Sequence, residues 1–461
     1  MTLIKSISGI RGTIGGSQGE NLTPIDAVKY AAAYGSWVKK QRQKDEYRVV
    51  VGRDARISGE MIQQLVMNTL VGMGIHVIDL NLSTTPTVEM AVMMEHADGG
   101  IILTASHNPK QWNALKLLNK DGEFLNAEAG QEILNIAEAE NINFSEVDDL
   151  GKITKNDAYI DLHIDEILEL PLVNANAIKK ANFKVVVDGV NSTGGIAVPM
   201  LLKALSVQTV ELFCEPTGEF PHNPEPLKEH LTDLMKKVVD EHADFGIVVD
   251  PDVDRLAFVD EKGEMFGEEY TLVAVADYVL QHNPGNTVSN MSSSRALRDV
   301  TEKYNGTYTA SAVGEVNVVQ KMKDTKAIIG GEGNGGIIYP ELHYGRDSLV
   351  GIALFLSHLA KEKIAVSELR KRYPSYYMSK KKIELTPQLD VDKILKSIES
   401  KYASEEINTI DGVKIDFAEN WVHLRKSNTE PIIRIYTEGP SQKDADTLAE
   451  RFITEIKAIA R

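Results

Sequence analysis

Gly100-Ile101-Ile102-Leu103-Thr104-Ala105-Ser106-His107-Asn108-Pro109 carries the pattern that decides the fold class. A short apolar run ends in a polar turn, and Pro109 keeps that turn from continuing as sheet. The arrangement recurs along the chain. Arg48-Val49-Val50-Val51 runs into Gly52-Arg53-Asp54, and Lys184 to Val187 runs into Asp188-Gly189-Val190-Asn191-Ser192-Thr193-Gly194-Gly195 and then a helix over Ile196 to Leu205. Phe245 to Val249 runs into Asp250-Pro251-Asp252-Val253-Asp254-Arg255, and Ala327-Ile328-Ile329 into Gly330-Gly331-Glu332-Gly333-Asn334-Gly335-Gly336. Strands that are apolar throughout are buried on both faces. Alternating with amphipathic helices, they predict an α/β fold of parallel or mixed sheets covered by helices. Ligands in such sheets sit at the carboxyl ends of the strands, so these loops are where a site belongs.

Three weakly similar α/β units are expected, at 1–155, 156–257 and 258–370. The segment 375–461 reads differently. It has a strand at Lys380 to Leu385, a helix at Val391 to Tyr402 and a hairpin of Asp411 to Phe417 with Trp421 to Arg425. A strand at Ile432 to Thr437 and a closing helix at Ala445 to Ala460 complete a small α+β domain. Arg372 to Ser379 is the expected linker. A chain of 461 residues is long enough for several cores.

Composition excludes several classes. No apolar run reaches the roughly 18 residues that a membrane span needs, and Met1 to Gly16 does not read as a signal peptide. The single cysteine, Cys214, rules out an internal disulfide framework or a cysteine-rich zinc site and is simplest in a cytoplasmic protein. A formal charge of −17 makes nucleic acid an unexpected partner. The same charge repels phosphorylated ligands, so any phosphosugar site must be a local cationic pocket.

Four loops carry candidate chemistry. Ser106 would project from a strand end as a nucleophile must; the plain alternative is a helix-capping serine. His107 is its neighbour, and adjacency alone does not make a catalytic dyad. Asp250, Asp252 and Asp254, if extended, project to one side and repel one another unless a cation lies between them. Magnesium takes a few carboxylates plus phosphate oxygens. Rival readings are a solvated acidic loop, a phosphatase with an aspartate nucleophile, and an EF-hand. The last fails at its sixth position, where Arg255 replaces the required glycine. Arg425-Lys426-Ser427-Asn428-Thr429-Glu430-Pro431 collects a guanidinium, hydroxyls, an amide and backbone N–H groups, as a phosphate dianion requires; the alternative is a polar hairpin loop. Glu332 and Asn334, in the glycine-rich loop, suit sugar hydroxyls, and the loop is neither a Walker A nor a dinucleotide fingerprint. Arg11, between Gly9 and Gly12, Lys116, ten residues after Ser106, and Arg346 are further cationic candidates.

In their order and spacing, the Ser-His-Asn-Pro turn, the Asp-x-Asp-x-Asp-Arg loop, the Gly-Glu loop and the Arg-x-Ser-Asn-Thr-Glu-Pro loop resemble those of the α-D-phosphohexomutases over the whole chain. The resemblance implies three similar mixed α/β domains and a C-terminal domain like the TATA-box-binding protein, set around a central cleft. It implies one Mg2+ per chain, bridged by phosphorylated Ser106, Asp250, Asp252 and Asp254, with Arg255 orienting the phosphoserine. Ser106, Lys116, Arg11 and His107 become the catalytic candidates. Glu332, Asn334 and Arg346 become the sugar-side residues, and Arg425, Ser427, Asn428 and Thr429 hold the unreacting phosphate. The implied reaction interconverts 6-phospho and 1-phospho hexoses through a bound 1,6-bisphosphate, with glucose or glucosamine 1,6-bisphosphate as activator. The only partner implied is the phosphosugar, for a monomer or homodimer. Many members read Gly-Glu-x-Ser-Gly-His in the sugar loop; Asn334 and Gly336 stand at the Ser and His places here, and Glu315 stands where some members place another histidine. The Gly-Asn-Gly-Gly form, with Gly345-Arg346-Asp347-Ser348, resembles archaeal-type phosphoglucosamine mutases. It points to glucosamine 6-phosphate and glucosamine 1-phosphate. Phosphoglucomutase/phosphomannomutase activity is the alternative within the family, and a metal-dependent sugar phosphatase the alternative outside it.

Overall fold

The computed structural model describes residues 2–6, 9–41, 44–384, 390–426 and 432–459. The first sheet has seven strands in the order Ile4–Ser6, Gly9–Thr13, Trp112–Leu118, Gly99–Leu103, Tyr47–Arg53, Ile75–Leu82 and Ile153–Lys155. The last four run parallel and the first three add antiparallel neighbours. The continuous apolar run at 49–51 has a direct packing consequence. Val49 and Val51 join one core with Ile62, Val66 and Ile101, whereas Val50 joins a second with Val88, Val92 and Ile102 on the opposite face. The helices Pro24–Gln41 and Gly59–Gly72 cover one face and Thr85–Met94 covers the other, because successive side chains of a strand alternate in direction.

Two four-stranded mixed sheets follow. The second is ordered Leu256–Asp260, Phe245–Val249, Lys184–Asp188, Gln208–Leu212, and the third Tyr308–Ser311, Thr287–Asn290, Ile329–Glu332, Gly336–Ile338. Leu256–Asp260 pairs antiparallel with Phe245–Val249, so the second sheet runs past the expected boundary at 257. Separate cores were expected, yet one apolar cluster extends from Ile160 to Tyr373 through both sheets. Its middle is aromatic. Phe258 and Phe355 stack at 3.8 Å, with Phe245 and Phe266 edge-on to Phe355. Helix Ser348–Glu362 is buried along almost its whole length because it lies between the two sheets rather than on a surface.

The last unit is a five-stranded antiparallel sheet, ordered Tyr377–Glu384, Ile432–Gly439, Trp421–Lys426, Val413–Asp416, Glu406–Asn408. Helices Val391–Lys401 and Gln442–Ile459 pack on it through Ile394, Ile398, Phe452 and Ile456. Two sequence expectations change. Tyr377 to Ser379 belongs to the first strand rather than a linker, its register held by eight pairings with Ile432–Gly439. The edge strand Glu406–Asn408 was not expected, since it offers a single apolar residue, Ile407, and its pairing with Val413–Asp416 defines it. The sheet docks on the third unit through Arg295, which reaches Asp416 at 3.3 Å and Glu438 at 3.6 Å, while Trp421 Nε1 donates to Glu438.

Candidate active site

Strand Gly99–Leu103 delivers Ser106 to a turn in which its own φ is 49°, the left-handed region that costs a non-glycine residue of order 1 kcal/mol. The surroundings hold it there. Thr104 Oγ1 accepts the Ser106 N–H at 2.9 Å and donates to Asp54 Oδ2 at 2.7 Å. Asp54 pairs at 2.9 Å with Arg56, whose guanidinium donates to the carbonyls of Asn108, Pro109 and Trp112 at 2.7, 2.8 and 3.0 Å and to that of Ser106. Arg56 is among the largest side chains fully withdrawn from solvent. Sequence reading missed it. The signal was there: Arg53-Asp54-Ala55-Arg56 sits at the end of a strand buried on both faces, where a charged run has no solvated side to occupy.

The left-handed turn also brings Ser106 to its partners. Its hydroxyl donates to Asp250 Oδ2 at 2.6 Å and lies 3.4 Å from His107 Nδ1, so these two neighbours in sequence do meet. Burial first, then Arg255, holds the His107 imidazole well below its usual range, so it is neutral at pH 7. Arg11 reaches Asn108 Oδ1 at 3.3 Å; burial, then Arg255, lowers its pKa. Gly9, beside it, has φ 125° and packs directly on the Leu115 carbonyl.

Asp250, Asp252 and Asp254 follow strand Phe245–Val249 and are all fully buried. The expected extended segment is instead a tight turn with Val253 at φ 65°, closed by Val253 N–H to the Asp250 carbonyl at 3.0 Å. The carboxylates converge all the same, with one ligand atom from each within 4.8 Å of the others. Asp250 Oδ1 accepts the N–H groups of Asp254 and Arg255, both at 3.1 Å. Thr85, from the first unit, donates to Asp252 Oδ2 at 2.6 Å. Lys116 Nζ stands 2.7 Å from Asp252 and 3.3 Å from Asp254, placed there by the pairing of its strand beside Gly99–Leu103. Burial pulls Lys116 down, but the two aspartates outweigh it and its pKa is raised. Burial pushes Asp250 well up, helped by Asp254 and Asp252. Asp252 Oδ1 and Asp254 Oδ1, both buried, make no hydrogen bond among the described residues. Orphaned hard oxygens converging beside a serine fit a magnesium ion.

Arg346 lies among carboxylates rather than open to a ligand. It pairs with Asp254 at 2.7 Å, Glu315 at 2.9 Å and Glu332 at 3.2 Å, so it ties the aspartate loop to the glycine-rich loop. Glu332 is further held by Asn290 at 2.8 Å and the Gly314 N–H at 3.2 Å. Asn334 Oδ1 accepts the Gly336 N–H at 3.2 Å, and the Gly335 carbonyl accepts the Leu256 N–H at 3.1 Å. A side chain at Gly336 runs into the Arg346 methylenes. That gives a steric reason for glycine where many members of the resembled family carry histidine. Arg255 is mostly buried and lies 3.5 Å from Glu225. Arg425 is the next-to-last residue of strand Trp421–Lys426 and lies 3.4 Å from Asp411, which also accepts the Val313 N–H at 3.1 Å. Ser427, Asn428 and Thr429 lie outside the described residues.

The four units coincide with four family models. Residues 3–143, 161–263 and 267–377 match alpha/beta/alpha domains I, II and III of phosphoglucomutase/phosphomannomutase, and residues 378–455 match its C-terminal domain. The chain belongs to the phosphoglucomutase/phosphomannomutase family. It is therefore an enzyme of the phosphohexomutase class. It is 36% identical over 440 residues to a phosphoglucomutase/phosphomannomutase of Thermococcus kodakarensis, covering 94% of this chain and 95% of that one. It is 33% identical over 459 residues to a phosphoglucosamine/phosphogalactosamine mutase of Sulfurisphaera tokodaii, covering 98% and 97%. The crystal structure of a phosphoglucomutase/phosphomannomutase family protein from Burkholderia thailandensis superposes with a TM-score of 0.85 at 26% identity, covering 100% of this chain and 98% of that one. In this phosphohexomutase, the serine loop meets the aspartate loop through Ser106 and Asp250, and Arg346 ties the aspartate loop to the glycine-rich loop through Asp254 and Glu332.

Proposed function

We propose that this phosphohexomutase moves a phosphoryl group between the 6- and 1-positions of a hexose through Ser106, with glucosamine phosphates as preferred substrates. The observation that carries the reading is the 2.6 Å contact of Ser106 Oγ with Asp250 inside a buried aspartate triad. The Ser106 Oγ–P bond breaks as a sugar hydroxyl oxygen bonds to phosphorus, giving a 1,6-bisphosphate. The bisphosphate turns in the site, and Ser106 takes the other phosphoryl group. His107, neutral and 3.4 Å from Ser106 Oγ, accepts the proton of the attacking hydroxyl and returns it in the second half. Lys116 stays a cation and balances charge rather than serving as base. Bound Mg2+ supplies charge neutralisation at the phosphoryl oxygens, and Asp250, Asp252 and Asp254 hold it. Arg11 and Arg255 face the same turn, and Glu332 and Asn334 present the glycine-rich loop to the sugar. Arg425, with Ser427 to Thr429, is assigned the unreacting phosphate. A 1,6-bisphosphate activator restores phosphoserine when the intermediate escapes.

The amino-sugar preference rests on the glycine-rich loop and on the relative from Sulfurisphaera tokodaii. Glu269 backs that loop, its carboxyl group against Gly333, and burial pushes its pKa up to about 8. No helix among the described residues is long and apolar enough to cross a membrane, and a cytoplasmic monomer or homodimer without nucleic acid is the accompanying proposal.

The test is a coupled assay of glucosamine, glucose and mannose phosphates with a 1,6-bisphosphate activator, on wild type and Ser106→Ala. Glucosamine phosphate should give the highest kcat/KM, and the variant should bind phosphosugar without turnover. Full activity in Ser106→Ala sinks the phosphoserine; steady phosphate release, with label trapped on an aspartate, establishes the phosphatase instead.

A further inference from the structure

Beside the aspartate triad lies a second group of convergent donors. His163 Nε2 is 2.9 Å and His343 Nε2 is 3.3 Å from one and the same oxygen, Asp347 Oδ2, and the three ligand atoms lie within 4.8 Å of one another. The residues come from helix Tyr159–Glu169 and from the loop and N-cap of helix Ser348–Glu362. All three are buried. Asp347 divides its oxygens: Oδ1 caps the helix through the N–H groups of Leu349 and Val350, leaving Oδ2 to the two imidazoles.

We propose that His163, His343 and Asp347 form a structural site for a borderline divalent transition ion of the zinc type, separate from the magnesium site. Three observations carry it. Both rings present Nε2 to one point, while Nδ1 of His163 is hydrogen-bonded by Thr87 Oγ1 at 3.0 Å and Nδ1 of His343 faces the Glu89 carboxyl group at 3.4 Å. That is how metal-ligating imidazoles are oriented and their tautomer fixed. Glu89, from the first domain, is fully buried with neither oxygen hydrogen-bonded among the described residues, a cost that needs compensation. The donor set then decides the ligand class. Two imidazole nitrogens and a carboxylate suit zinc, cobalt or nickel, whereas the three carboxylates of the catalytic loop suit magnesium. The ion joins three domains within two residues of Thr85 and Arg346, the side chains that hold Asp252 and Asp254.

The test is metal retention under magnesium competition. The purified chain is stripped with a chelator, given one equivalent of Zn2+ with a large excess of Mg2+, desalted and assayed for zinc. About one zinc per chain should remain, with X-ray absorption showing two imidazoles bound to it; the catalytic loop can lend His107 at most. His163→Gln and His343→Gln should each lower zinc affinity by at least about tenfold while circular dichroism stays native. Absence of retained zinc, a coordination sphere with fewer than two imidazoles, or undiminished zinc in both variants overturns the proposal. The absorption experiment on wild type decides the matter even where a variant does not fold.

Discussion

Replacing Arg56 tests how the Ser106 turn is built. In Arg56→Ala, the fully buried Asp54 carboxylate loses its cation. Breaking one side of a buried ion pair costs about 3–5 kcal/mol. The carbonyls of Ser106, Asn108, Pro109 and Trp112 also lose their donor, and hydrogen bonds to a charged group contribute about 1.5–3 kcal/mol each. These losses share one side chain and do not add; the buried charge sets the scale, about 4 kcal/mol. For a domain of this size, about 2–4 °C per kcal/mol gives a fall on the order of 10 °C in the transition of the first domain. Trp37 and Trp112 both lie there, so tryptophan fluorescence reports it. Arg56→Lys keeps the charge but cannot fork to so many carbonyls. It should retain most of the stability yet lose about a hundredfold in kcat, the scale of a roughly 1 Å misplacement of a reacting group, with KM little changed. An Arg56→Ala protein with wild-type melting, or an Arg56→Lys enzyme with wild-type kcat, refutes the reasoning.

Two further tests follow from the geometry. His423 Nε2 donates to the Asp411 carbonyl at 2.6 Å, so its Nδ1 must accept the Ser292 hydroxyl at 2.9 Å, leaving no room for a second proton; burial pushes its pKa down to about 4. A histidine depressed in the folded state binds fewer protons than in the unfolded state, so its contribution is intact above about pH 6.5 and is lost as pH falls toward 4. Urea titrations across that window should show the docking of the fourth domain weakening in wild type and a flatter profile in His423→Gln; parallel profiles count against the assignment. Gly336→His, which restores the residue many family members carry, should displace Arg346 and cut kcat/KM at least about tenfold, whereas a fully active variant shows that Arg346 has space to move.

Much of the site was legible from local sequence. The strand-then-turn pattern located Ser106, the aspartates and Glu332 at strand ends, and burial on both faces followed from Val49 to Val51. What was not legible is what depends on long-range contact. The aspartates converge through a turn with a left-handed Val253, not along an extended strand; either geometry brings alternate carboxylates together, so spacing could not separate them. Arg346 reads locally as a cation beside a glycine, and only the fold shows three carboxylates around it. Arg56 shows in the sequence only through its place beside Asp54 at a buried strand end; the backbone carbonyls it holds, more than fifty residues away, leave no trace in residue type. The edge strand Glu406–Asn408 turns one apolar residue, Ile407, to the core, too little for a readable alternation.

The stack of Phe258 on Phe355 bears on how this protein can be taken apart. Family models part the second and third domains between 263 and 267, an inviting joint for building chimeras. A chain cut there, or a third domain exchanged with that of a relative, exposes the ring faces of Phe245, Phe258, Phe266 and Phe355 and the buried length of helix Ser348–Glu362. Deleting one such aromatic already costs about 3–5 kcal/mol. The two middle domains are one unit of inheritance for the engineer: residues 156–373, from the end of strand Ile153–Lys155 to the last member of the shared cluster, travel together, and the workable seams lie on either side of them.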